Sequence, residues 1–184
     1  MTQSGSNPLA IQPPLSLGDV RLYLATAAMV LGNVLLPYAV HRIPDGGRIF
    51  LPIFFFTLVA GWRFGIGAAI LTGLLSPLAN HLLTGMPPAA ALQTLIVQSV
   101  LLGVLASLAA ARSRQLTVPT LAGVVVLHQA LILLPRLLQT GAQPTLAALQ
   151  LRLPGIGLQI LGGFALLWFM GRHLPPSPRA TREG

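Results

Sequence analysis

Long apolar runs without charge limit what this chain can fold into. Ala89–Ala111 and Leu153–Gly171 contain no charged side chain, and Val20–Val40 contains only Arg21. The solvent that suits such a surface is lipid. In hydrocarbon the backbone N–H and C=O groups must be bonded within the protein, and a helix does this inside one segment. A barrel strand would alternate apolar and polar residues, and neither Ile49–Ala60 nor Ala89–Ala111 alternates. Composition agrees: 54% of residues are hydrophobic and 8% charged, where a soluble domain carries about a quarter of its residues as charged groups. The expectation is an all-α integral membrane protein, a bundle of about six transmembrane helices with both termini cytoplasmic.

The residues that are missing narrow the chemistry. All 11 basic side chains are arginine, and the acids are limited to Asp19, Asp45 and Glu183, each outside the apolar runs. Without lysine there is no Walker-type phosphate loop and no Schiff base with pyridoxal phosphate or retinal. Without cysteine there is no disulfide, thiolate metal site or cysteine nucleophile. A carboxylate proton relay inside the membrane is absent too. His41, His81, His128 and His173 lack the spacing of a zinc helix and have no acid beside them, so neither a metal site nor a Ser-His-Asp assembly is expected. The net charge of +8 comes from arginines dispersed between apolar runs, the pattern of membrane topology rather than of a nucleic-acid surface.

Six spans are expected, at about Val20–Val40, Ile49–Gly61, Phe64–Leu83, Ala89–Ala111, Thr117–Pro135 and Leu153–Gly171. The second is short. Residues 1–18 read as a flexible cytoplasmic tail, 19–172 as the transmembrane substrate-binding domain, and 173–184 as a basic cytoplasmic tail. Arg136–Arg152 is semi-polar, an interfacial helix or a re-entrant loop. With the amino terminus inside, seven arginines (Arg21, Arg63, Arg112, Arg114, Arg172, Arg179, Arg182) are cytoplasmic and four (Arg42, Arg48, Arg136, Arg152) are outside. That is the sense of the positive-inside bias.

On this topology polar side chains gather in the outer half of the bundle: Asn80 and His81 on the third span, Gln98 on the fourth, His128 and Gln129 on the fifth, Gln159 on the sixth. Polar groups in hydrocarbon are costly and face the bundle interior or a cavity. A ligand pocket open to the outside accounts for them, with Arg136 and Arg152 at its mouth. Bonding of each amide and imidazole to a neighbouring helix accounts for them equally, and Asn33 and Gln93 read as structural. Small residues four apart (Ala28 and Gly32; Gly65, Ala69 and Gly73; Gly103, Ser107 and Ala111) are ridges for close helix packing. The first pair suits either packing within the bundle or a partner subunit.

Three stretches resemble a known family. Gly73–Leu78 reads G-L-L-S-P-L, Thr84–Pro88 reads T-G-M-P-P, and a small-residue ridge follows Gly103. Pro154–Gln159 reads P-G-I-G-L-Q, and Leu51-Pro52 lies at the start of the second span. Together they resemble the S components of energy-coupling factor (ECF) transporters over about residues 20–172. The resemblance implies a substrate-binding membrane subunit that performs no chemistry, is not an enzyme and needs no cofactor. It implies a vitamin-like ligand, a membrane coupling protein (T component) and two ATPase subunits as partners, and a multi-pass location in the bacterial cytoplasmic membrane. It also implies docking of the coupling protein through Ala28-x-x-x-Gly32. The chain departs from the family where Phe54 takes the position of a histidine and Gln98 that of a frequent glutamate. The missing charge at Gln98, with the outer arginines, favours a neutral or anionic ligand. Competing classes are a membrane scaffold of the MreD cell-shape type and an intramembrane protease, the latter opposed by the missing acids.

Overall fold

The computed structural model describes residues 7–40, 49–50 and 52–174. Helix α1 (Val20–Val40) is followed by a 3-10 turn (Pro52–Phe54) that leads into α2 (Phe55–Phe64). Then come α3 (Ile66–Thr84), α4 (Ala89–Arg112) and α5 (Val118–Thr140). The last segment is α6 (Ala142–Gly157), a π-helical turn (Leu158–Gly162) and α7 (Gly163–His173). The protein is an all-α, multi-pass membrane bundle, with no strand among the described residues.

Local chemistry explains where the helices begin and end. Asp19 caps α1 by accepting the Arg21 N–H at 2.9 Å, and Thr117 caps α5 by accepting the Thr120 N–H at 3.3 Å; both satisfy N–H groups that a first helical turn leaves free. Gly85 ends α3 in the left-handed region at φ 71°, returning its N–H to the His81 carbonyl. Gly65 and Gly141, at φ 89° and 84°, make the sharp corners between α2 and α3 and between α5 and α6.

Helices α1, α3, α4 and α5 run from 19 to 24 residues, about 29–36 Å at 1.5 Å per residue and enough to cross a hydrocarbon core of about 30 Å. Pro52–Phe64 is shorter, and its place in the fold explains why it suffices. Thr57, Leu58, Val59, Ala60, Gly61 and Trp62 are all buried, so α2 is enclosed by α1, α3, α4 and α7 and meets lipid hardly at all. Gly171 lies against the Pro8 carbonyl, which puts both ends of the described chain at the same end of the bundle. The number of crossings is therefore even, and α2 supplies the sixth.

Two segments differ from the sequence expectation. Arg136–Arg152 is neither a separate interfacial helix nor a re-entrant loop: Ala142–His173 is one continuous helical stretch of 32 residues. At about 48 Å it outruns the hydrocarbon, so α5 and α6 form a hairpin that projects beyond the bundle at Gly141. Residues 7–17, within the segment expected to be loose, lie across the opposite end. There the Leu116 N–H donates to the Leu9 carbonyl at 2.8 Å and the Leu15 N–H to the Phe64 carbonyl at 3.0 Å. Leu9, Ile11 and Leu15 pack onto the core, which gives this strap an apolar reason to stay. The tail 173–184 lies outside the described residues except for His173 and Leu174.

Small residues set the helix spacing. A Cβ at Gly61 would run into the Gly103 carbonyl, one at Gly103 would press on Ala69 and Thr57 at 3.0 Å, and one at Gly73 would meet Val100 at 2.8–2.9 Å. Backbones of α2, α3 and α4 thus approach as closely as glycine allows. Gly61→Val should lower the thermal stability of the detergent-purified protein by about 1–3 kcal/mol or prevent its recovery as a monodisperse species. Gly123→Ala, where a Cβ meets open space, should leave the melting temperature unchanged or raised; equal losses in both variants would refute the close-packing account.

Candidate functional site

Two groups of buried polar side chains occupy the interior of the bundle between the strap and the Gly141 corner. The first is fully bonded. Asn33 of α1 donates through Nδ2 to Thr57 Oγ1 of α2 at 3.0 Å and to Ser76 Oγ of α3 at 2.9 Å, and its Oδ1 accepts the Phe56 N–H at 3.0 Å. Asn80 Nδ2 donates to the Asn33 carbonyl at 2.8 Å and to the Ser76 carbonyl at 3.0 Å. Thr57 and Ser99 hydroxyls share a bond at 3.1 Å, which adds α4. One amide thereby staples four helices, and Asn33, Thr57, Ser76, Asn80 and Ser99 are all buried.

The second group is only partly bonded. The buried stripe of α5 reads Leu121, Val124, Val125, His128, Gln129 and Leu133, the i, i+3, i+4 spacing of an inward face. That face turns both polar residues into the protein. His128 Nε2 donates to the Gln98 carbonyl at 2.9 Å; a carbonyl only accepts, so the neutral ring carries its proton on Nε2 and offers Nδ1 as an acceptor. Nδ1 has no partner among the described residues, nor do either terminal atom of Gln129 or of Gln159. Phe54, from the 3-10 turn, sets its ring edge-on to His128 with centroids 5.7 Å apart.

Gln159 reaches this region because its own segment is unusual. It sits in the π-helical turn Leu158–Gly162, a form that is rare and concentrated at functional sites. Gly155 lies against the backbone of Ile49 and Phe50, Gly162 against the Phe55 ring, and Gly163 against Leu58 and Leu121. These glycines bring the π turn close to α2 and α5. Within it Gln159 is fully buried.

Measured along the hairpin from the Gly141 corner, Arg136 lies about 8 Å down, Arg152 about 16 Å, Gln129 and His128 about 18–20 Å, and Gln159 about 27 Å. Arg152 is half-buried and Arg136 exposed. A ladder of basic and then neutral polar groups leads from the projecting corner toward mid-membrane.

Of the residues expected from sequence to bind substrate, His128 bonds the Gln98 carbonyl, Gln129 is its buried neighbour on α5, Gln159 lies in the π turn that packs on α5, and Arg136 and Arg152 stand on the two arms of the hairpin. The structure holds Asn80 in the Asn33 staple and His81 in a turn, where His81 Nδ1 donates to the Pro87 carbonyl at 2.7 Å and Thr84 Oγ1 donates to the Asn80 carbonyl at 2.7 Å. No contact brings either to His128. Gln93 is exposed. Ala28 faces outward beside Leu24 and Leu31, whereas Gly32 lies under the Phe56 ring, where a Cβ would come within 2.7–2.8 Å. The sequence marks Phe54 only as a departure from the family's histidine and Pro154–Gln159 only as a motif; neither the ring contact with His128 nor the π turn is foreseen there, and the glycines around Leu158–Gly162 are the available signal. The Thr26 and Thr72 hydroxyls and Gln12 Oε1 also lack partners, each on a different segment.

The two polar groups should respond oppositely to removal. Asn33→Leu strands the Phe56 N–H and removes the donor to the Thr57 and Ser76 hydroxyls, and should cost about 1–3 kcal/mol for each buried group left unbonded. Gln159→Leu removes an amide that bonds nothing among the described residues and should leave the melting temperature equal or higher. Thermal unfolding of both variants in detergent checks this; a large loss in Gln159→Leu would assign that amide a structural bond.

Comparison with protein-family models, with curated proteins and with solved structures finds no match to this chain.

Proposed function

We propose that the chain is the substrate-binding S component of an ECF-type importer in a bacterial cytoplasmic membrane. It captures a vitamin or related micronutrient from outside and passes it on with a membrane coupling protein and a pair of ATPases. One observation carries this reading: five buried polar atoms on His128, Gln129 and Gln159 meet no partner among the described residues, within a bundle that bonds both ends of the Asn33 amide. Leaving each such atom unbonded costs about 1–3 kcal/mol. A solute with complementary donors and acceptors removes that cost, so the arrangement suits reversible binding. A scaffold of the MreD type has no use for such atoms.

The positive-inside bias puts the Gly141 corner outside and the strap inside, so Arg136 and Arg152 stand at the entrance. The chain has no lysine for a phosphate loop, which fits energy supplied by other subunits. The outward side of α1 around Ala28 is the docking face for the coupling protein, since its neighbours Leu24 and Leu31 are exposed as well.

Binding is tested by thermal unfolding of the purified protein against vitamins, purines and metal ions. A specific ligand at a hundredfold excess over its Kd should add about 2.7 kcal/mol of stability, and His128→Ala should remove that shift. If nothing in the panel shifts the transition, the importer reading fails. Docking is tested separately. Ala28→Trp should abolish co-purification of the coupling protein while leaving melting and ligand binding unchanged; undiminished co-purification would exclude this face.

A further inference from the structure

We infer that the solute is a small organic anion that enters carboxylate- or phosphate-last, with a donor-bearing polar end on His128, Gln129 and Gln159 and its negative group held by Arg152 and Arg136. This rests on the solute site proposed above and adds the charge, polarity and orientation of its occupant.

Charge comes first. Asp19 is the one acid among the described residues, and it caps α1 at the strap end. The loop with Asp45 lies outside the described residues and carries Arg42 and Arg48 as well. Its formal charge is positive too. Arg152, half-buried on α6, and Arg136, exposed on the packed arm α5, lie within about 9 Å of each other in depth along the hairpin, with no acid beside them among the described residues. Two like charges at the edge of a low-dielectric bundle repel, and an anion between them reverses the sign of that interaction. The guanidinium fork matches carboxylate or phosphate through paired N–H donors.

Polarity and length follow from the ladder. His128 Nδ1 is an acceptor because Nε2 already donates to Gln98, so the inner part of the solute must present an N–H or O–H. The two glutamine amides accept and donate, and suit an amide, ureido or hydroxyl group. Phe54, edge-on to His128, gives the same region an apolar wall. From the level of Arg152 to that of Gln159 is about 11 Å, the length of a small vitamin rather than of a lipid or peptide.

The test is to purify wild-type protein, Arg152→Gln, Arg136→Gln and Arg152→Lys from cells grown in rich medium. The bound small molecules are released by denaturation and identified by mass spectrometry in both polarities. The wild type should release a compound with a carboxylate or phosphate and at least one N–H or O–H donor, and the mass distinguishes the two acids. Its amount per protein should fall at least tenfold in Arg152→Gln and survive in Arg152→Lys, with circular dichroism unchanged. A neutral or cationic compound, or an anion equally retained by both glutamine variants, overturns the inference and leaves the solute site standing. A wild type that releases nothing, and that no vitamin, purine or metal ion stabilises, removes the site itself.

Discussion

Everything in this protein is arranged around one constraint: a polar group that leaves water inside a bilayer must find its partner within the chain. Helices meet that demand for the backbone. For side chains the demand is met at Asn33, whose amide bonds α2 and α3 directly and reaches α4 through Thr57 and Ser99. That amide places the short α2 in the middle of the bundle. A thirteen-residue apolar segment (Pro52–Phe64) would be a poor membrane span alone; enclosed by four other helices, it never has to match the bilayer by itself.

Close backbone contact does the rest. Between helices in lipid there is little hydrophobic drive, and association depends on packing and interhelical bonds. Gly61 against Gly103 and Gly73 against Val100 give α2, α3 and α4 the proximity at which short hydroxyls can bridge them. The staple and the glycine contacts are thus one device: without the glycines, Thr57 and Ser99 would stand too far apart to share a bond at 3.1 Å.

The candidate site borrows its rigidity from that device. Gln98, whose carbonyl orients the His128 ring, adjoins Ser99 in the staple on α4. The bonded half of the polar layer positions the unbonded half. On the other side the π turn presents Gln159 from a helix that continues without interruption to the projecting corner at Gly141. The strap of residues 7–17 closes the far end, so the two ends of the bundle differ: one carries a protruding arginine-bearing hairpin, the other an apolar lid of its own chain.

Much of this was legible in the residues. Uncharged apolar runs dictated a helical membrane protein, because lipid leaves the backbone no other easy solution. The small-residue ridges announced close packing, and the depth of Gln98, His128, Gln129 and Gln159 announced a polar layer. The sequence could not sort that layer, because depth along a helix says nothing of whether two side chains meet across helices. Only the tertiary structure decided that Asn80 belongs to a staple and His81 to a turn, while His128 Nδ1 and the amides of Gln129 and Gln159 stay without partners among the described residues. It also decided that 136–152 is a hairpin and that residues 7–17 are a strap. Periodicity and hydropathy report how one segment meets its solvent, whereas hydrogen bonds between segments depend on a register that no single segment contains.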